Sequence, residues 1–159
     1  MKIVNTNELE EFTWKSPRGK YRGAGKEVSE ALGRDPKSTD LLLRHPFDVE
    51  ILRLEPGATP YPYHAHGQQW EFYHVISGRG KVRHEGGETA IAQGDAFLFK
   101  AGEPHAMTND GDVDLIVYVV ADNPLNEANY FPDSGKWVVP LPRRQVIRGE
   151  SADYMDGEE

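Results

Sequence analysis

Three histidines and one glutamate carry the chemistry this chain advertises. The first stretch reads Gly57-Ala-Thr-Pro-Tyr-Pro-Tyr-His64-Ala-His66-Gly-Gln-Gln-Trp-Glu71-Phe-Tyr-His-Val-Ile-Ser-Gly78. Side chains in a strand alternate between faces, so His64 and His66, two residues apart, point the same way if the segment is extended. Glu71 opens the apolar run Phe72 to Ile76, which reads as the next strand, so its carboxylate can join them. Two imidazoles and a carboxylate suit a divalent transition ion of intermediate softness. The second stretch reads Gly94-Asp95-Ala-Phe-Leu-Phe-Lys100-Ala-Gly102-Glu-Pro104-His105-Ala-Met-Thr-Asn109 and offers a third imidazole, His105, beyond a turn, an apolar strand and another turn.

These residues resemble the two motifs of the cupin superfamily. The first stretch is similar to the motif with glycine, His-x-His, glutamate and glycine; the second is similar to its partner with glycine, Pro-x-Gly, histidine and asparagine. The resemblance implies a double-stranded β-helix, a jelly-roll barrel, with His64, His66, Glu71 and His105 facing inward around one metal ion. The sequence departs from the usual pattern in two places. Six residues separate Gly57 from His64, one more than usual, and Lys100 stands where proline is usual. The extra residue falls in a loop, where insertions are tolerated. The two motifs with their spacer cover about a third of the chain. The tail Tyr130-Phe-Pro-Asp-Ser-Gly-Lys136 also resembles a branch of single-domain bacterial cupins sometimes labelled sugar-phosphate isomerases.

Three histidines and a carboxylate leave one or two positions open on a five- or six-coordinate ion, where water, substrate or dioxygen can bind. Structural zinc sites are usually closed and often thiolate-rich, so an open site points to catalysis or ligand binding. Iron, manganese, nickel, cobalt, copper and zinc all accept such ligands. Tyr73 shares parity with Glu71, which aims it into the same cavity, as a hydrogen-bond donor or acid or as a packed core tyrosine. Lys100 could hold an anionic substrate group, although most strand-end lysines are solvated. Tyr73 and Lys100 are the candidate catalytic pair. Arg53 and Arg83 lie on strands whose parity relative to the ligands cannot be carried across loops. His45, His74 and His84 are read as loop, surface and hairpin residues, and Asn109 as a turn residue before Asp-Gly.

The elements that must position these groups are strands. Val49 to Leu54, Tyr61 to His66, Glu71 to Ile76, Lys81 to His84, Glu88 to Ala92, Ala96 to Lys100, His105 to Thr108 and Val113 to Ala121 follow one another, with turn residues between them. Strands at this spacing without a long helical pattern indicate an all-β barrel or sandwich on their own evidence. A short helical turn is expected near Val28 to Leu32 and another in residues 123–129. The chain divides into an N-terminal arm (1–40), draped over the barrel or a partner subunit, a single cupin barrel (41–140) and a C-terminal tail (141–159).

The 159 residues suffice for one domain with a core. The net charge of −8 disfavours nucleic acid and anionic lipid as partners. Without cysteine, disulfides and thiolate metal sites are excluded, and any metal must be held by nitrogen and oxygen. No apolar h-region or membrane-length run is present, so a cytoplasmic protein is expected. The expected partners are a small-molecule ligand and, given the aromatic arm, a second copy in a homodimer. Three reactions follow from the resemblance: sugar-phosphate isomerisation, oxygenation and decarboxylation. A non-catalytic small-molecule or carbohydrate sensor is the alternative.

Overall fold

The computed structural model describes residues 1–140 and 142–158. Among these residues the strands are β1 (Phe12–Lys15), β2 (Arg22–Glu27), β3 (Phe47–Leu54), β4 (Ala65–His66), β5 (Glu71–Ser77), β6 (Arg79–His84), β7 (Gly87–Ala92), β8 (Ala96–Phe99), β9 (His105–Thr108), β10 (Leu115–Asp122), β11 (Asn129–Phe131), β12 (Lys136–Val139) and β13 (Gln145–Arg148). Two single-turn helices, α1 (Val28–Ala31) and α2 (Leu41–Arg44), and a 3-10 turn at Pro132–Ser134 complete the described elements.

One layer is an antiparallel sheet in the order β1-β2-β3-β10-β5-β8. The other combines β7-β6-β9 with β13-β12-β11-β4, two sheets joined at one antiparallel bridge, His64 to His105. β10 sits in the middle of the larger sheet because its residues alternate cleanly. Leu115, Val117, Val119 and Ala121 are buried, and the residues between them are only half-buried on the outer face. Leu52, Leu54, Val75, Leu115 and Val117 from this layer pack against Val82, Ile91 and Met107 from the other. The β5–β6 connection needs Gly78. Its φ is +82°, and a side chain there would collide with the Asp114 carbonyl.

Within the first forty residues, expected as an arm, two strands form. β1 and β2 continue the large sheet outward from β3, and Trp14 stacks on Tyr61 with ring centroids 5.3 Å apart while its Nε1–H donates to the Pro60 carbonyl at 3.1 Å. The chain's own sheet thus covers Trp14, an aromatic group of the expected arm. Only Ala65–His66 of the expected strand 61–66 is regular, since Pro60 and Pro62 have no N–H to donate to a ladder. No helix forms in 123–129; Asn126 takes a left-handed φ of +61° and the chain turns into β11. No helix among the described residues is long and apolar enough to cross a membrane.

Candidate metal centre

One backbone bridge and strand alternation bring the three imidazoles together. His64 N–H donates to the His105 carbonyl at 3.1 Å, and His105 N–H donates to the His64 carbonyl at 2.8 Å. Residues exchanging both bonds in an antiparallel pair lie directly opposite and on one face. His66, two residues along β4, shares that face. The ring centroids are 4.9 Å apart for His64 and His66, 4.9 Å for His64 and His105, and 6.0 Å for His66 and His105. Glu71 comes from the opposite layer, at the start of β5. Its Oε2 lies 2.8 Å from His105 Nε2 and 3.4 Å from His66 Nε2. One donor atom from each of the four residues lies within 4.8 Å of all the others, close enough to share one ion.

The donor chemistry fits a cation. His64 Nδ1–H donates to the Pro62 carbonyl at 2.7 Å and His105 Nδ1–H to the Glu103 carbonyl at 3.1 Å. A carbonyl only accepts, so each Nδ1 carries a proton, and a ring with no second proton turns a lone pair inward at Nε2. In that form His105 Nε2 meets the Glu71 carboxylate acceptor to acceptor. Such a pair repels unless positive charge lies between. Burial, reinforced by the charges of His105 and His66, lowers the His64 pKa to about 4, which keeps that ring neutral. Burial also acts to lower His66, but the hydrogen bond and charge of Glu71, with help from Glu127, outweigh it and hold the ring above its ordinary value. Glu71 shows the converse. Burial would raise it, yet a proton shared with Nε2 of His105 and of His66 holds it far below the carboxylate range, and a cation in the same place would act likewise. The centre is built to hold positive charge.

His66 Nδ1 faces the Asn129 side-chain amide at 2.9 Å and Glu127 Oε1 at 3.4 Å. The Glu127 carboxylate also accepts from the backbone N–H groups of Gly67, Gln68 and Gln69, at 2.7, 3.0 and 3.2 Å. It thereby pins the loop that follows His66. Neither Glu127 nor Asn129 was marked by sequence reasoning; both come from a distant, irregular stretch with no periodic signal.

A cavity of about 370 Å³ opens on the four residues. Its walls are largely apolar, from Leu52, Val82, Phe97, Phe99, Met107 and Phe131. Tyr73 lines it, and its hydroxyl donates to Glu71 Oε2 at 2.8 Å. Burial and the Glu71 charge raise the Tyr73 pKa well above the ordinary value, so the phenol keeps its proton. Lys100 lies elsewhere. It is exposed, its Nζ sits 5.7 Å from the Trp70 ring centroid, and it is not among the lining residues. Phe97 and Phe99 take the inward positions of β8, which leaves Lys100 at the outward parity. Arg53 pairs with Glu11 and Asp114, and Arg83 pairs with Asp133 over the Tyr63 ring, both outside the cavity. Among the described residues that line the cavity there is no lysine or arginine. Glu50 of β3 does line it, as a carboxyl the sequence reading passed over. Asn109 is fully buried; its amide donates to the carbonyls of Leu54 and Val113 at 2.7 and 2.8 Å, a turn-holding role.

Comparison with known proteins agrees with this architecture. Residues 50–121 match the model of the cupin domain. An oxalate-binding protein from Thermotoga maritima is 31% identical over 64 residues, 40% of this chain and 52% of the relative, so the match spans about half of that protein's length. The crystal structure of a cupin-superfamily sugar phosphate isomerase from Silicibacter pomeroyi superposes with a TM-score of 0.76 at 23% identity, covering 96% of this chain and 98% of the other. A predicted oxalate decarboxylase from Thermotoga maritima superposes with a TM-score of 0.62 at 21% identity, covering 77% and 100%. At these identities the structural likeness is one of fold, and that fold is the double-stranded β-helix.

Proposed function

Because the chain carries a cupin domain over residues 50–121, we propose that it binds one divalent transition metal ion at His64, His66, Glu71 and His105 and uses it on a small oxygen-bearing metabolite. The observation that carries this reading is the inward convergence of histidine lone pairs on a carboxylate, with Nδ1 protons locked outward by the Pro62 and Glu103 carbonyls. When bound, the ion would supply Lewis-acid polarisation of a ligand oxygen. The protein's own contribution is positional. Glu127 and Asn129 orient His66, the Phe99 ring stacks on His105 with centroids 4.1 Å apart, and the apolar walls limit water. Tyr73 is placed to hold a proton beside Glu71 or give a hydrogen bond to a ligand oxygen.

The cavity lining favours a small carboxylate over a phosphorylated sugar. A phosphate dianion inside a protein is ordinarily met by arginine or lysine, and the described lining has neither. Decarboxylation or oxygenation of a small acid therefore fits better than sugar-phosphate isomerisation. Non-catalytic binding of such an acid is the second reading, favoured by the curated relative that is named for binding oxalate. We also propose a homodimer formed through the outer face of the large sheet, where Trp70, Phe72, Ile76 and Leu98 are exposed.

The test is elemental analysis of protein purified without chelator, with mass spectrometry of any small molecule released on denaturation. Near-stoichiometric transition metal, lost in His105→Ala, is expected. Metal content indifferent to that substitution would sink the proposal.

A further inference from the structure

Among the described residues, Glu50 is the one cavity-lining carboxyl that takes no part in the ligand cluster. Register fixes where it stands. Glu50 pairs with Val119 and Val119 with Tyr73, so the three form a row on the inward face of β3, β10 and β5. Two strand spacings put its backbone roughly 10 Å from that of Tyr73. Both line the cavity, and Tyr73 stands beside the metal ligands, its hydroxyl 2.8 Å from Glu71 Oε2.

The seat of the carboxyl is specific. Its Oε1 is buried with no hydrogen-bond partner. It rests over Gly25 of β2, where any Cβ would collide with it, and the Phe12 ring covers the same spot. An ionised carboxylate with a bare buried oxygen is costly, and one proton removes most of that cost. The groups facing Glu50 act in the same direction. Burial is the largest influence, followed by Glu27 on β2, Asp48 on β3, Glu71 on β5 and Glu30 on α1, and together they push it up to about 8. The Arg34 guanidinium nearby is engaged with Glu30 and Asp48. Tyr61, at the cavity mouth, is itself raised by burial and by the Glu50 charge, and stays neutral.

We infer that Glu50 is the proton-donating end of the ligand site: its carboxyl hydrogen-bonds the far oxygen of a small carboxylate whose near oxygens face His64, His66, Glu71 and His105. The inference rests on the metal-site reading and adds the chemical class of ligand and the residue that selects it. With no lysine or arginine among the described lining residues, the cavity offers an anion no fixed cation away from the cluster, so a neutral acid is the group that can meet the anion's second end. The proton stays shared between Glu50 and the ligand oxygen in the complex and remains on Glu50 when the ligand leaves, so no further reactant is required.

Cobalt(II)-loaded protein titrated with oxalate tests this. The cobalt ligand-field spectrum reports anion binding at the metal. Calorimetry in two buffers of different ionisation enthalpy counts protons. Near pH ~6.5 Glu50 already carries its proton and no uptake is expected; near pH ~9 binding should take up close to one proton, and affinity should be about tenfold lower. Glu50→Gln keeps a neutral donor, so it should bind at both pH values with no proton uptake, whereas Glu50→Ala should lose about tenfold at the lower pH. Gly25→Ala displaces the carboxyl without removing it and should also weaken oxalate while sparing cobalt. Proton uptake that is absent in the wild type, or that persists in Glu50→Gln, overturns the inference. Bound cobalt with no response to oxalate overturns it too and leaves the metal site standing. Failure to bind cobalt at all, or binding unaffected by His105→Ala, removes the metal-site reading itself.

Discussion

His64 and His105 face each other across a single two-residue bridge, 41 positions apart in the chain, and exchange both backbone hydrogen bonds. This bridge is where the two smaller sheets meet, so the joint of the second layer and the heart of the site are the same contact. Glu71 then reaches across from the opposite layer to His105 at 2.8 Å. The site therefore ties the two layers of the fold to each other.

Removing either bridged histidine should release the metal. His64→Ala and His105→Ala each delete one donor of four, and metal affinity should fall by more than the roughly 10- to 100-fold typical of losing an outer partner. Competition with a chromophoric chelator measures it. Either variant binding as tightly as the wild type would show that the ion sits elsewhere.

Glu127 should matter to the metal without touching it. Glu127→Ala removes the acceptor beside His66 Nδ1 and frees the backbone N–H groups of Gln68 and Gln69. Metal affinity should drop about 10- to 100-fold. Glu127→Gln, which keeps one acceptor oxygen, should recover part of the loss. A uniform fall in thermal stability with metal affinity unchanged would assign Glu127 a purely structural part.

The raised carboxyls set a pH dependence of stability. Glu50 is pushed up to about 8 and Glu27 to about 7, both led by burial. A carboxyl with a folded pKa above its unfolded value binds its proton more tightly when folded. Its contribution is whole below about 4.5 and declines as pH rises from there until it is lost at about 7 to 8. The metal-free wild type should therefore lose stability over that window, by on the order of 2 kcal/mol from Glu50, less than the full shift because the surroundings relax. Thermal unfolding of Glu50→Gln between pH ~5 and ~9 should be flatter than wild type. Parallel curves would mean that Glu50 ionises freely in the folded protein.

The outer face of the large sheet should mediate pairing. Phe72 lies between Val120 and Leu98 in register, and Phe72 and Leu98 are exposed. Light scattering should report a dimer at micromolar concentration, and Phe72→Glu should give a folded monomer. A monomeric wild type would remove the proposal.

Much of the fold was legible because alternation is a local property. The runs that became β3, β5, β8 and β10 announced themselves as strands, and His64, His66, Glu71 and His105 were readable from residue type, spacing and turn glycines. β1 and β2 were not. β2, Arg-Gly-Ala-Gly-Lys-Glu, carries no apolar alternation and becomes a strand because the edge of β3 offers it hydrogen bonds, and β1 then pairs with β2.

Glu50 shows where sequence reading stops. In Val49-Glu50-Ile51-Leu52-Arg53-Leu54 both parities carry apolar residues, because α1 covers part of the outer face while the core covers the inner one. Periodicity alone could not say which way the carboxyl points. The same ambiguity in Phe97-Leu98-Phe99 hid the outward placement of Lys100. Glu127 lies 61 residues from His66, and only the β4–β11 pairing brings them together. The sequence by itself determined which side chains could bind a cation and that strands would carry them. Tertiary structure alone decided which carboxyl shares their cavity and which cation is kept out, because register between distant strands is set by packing of whole layers and not by any neighbour in the chain.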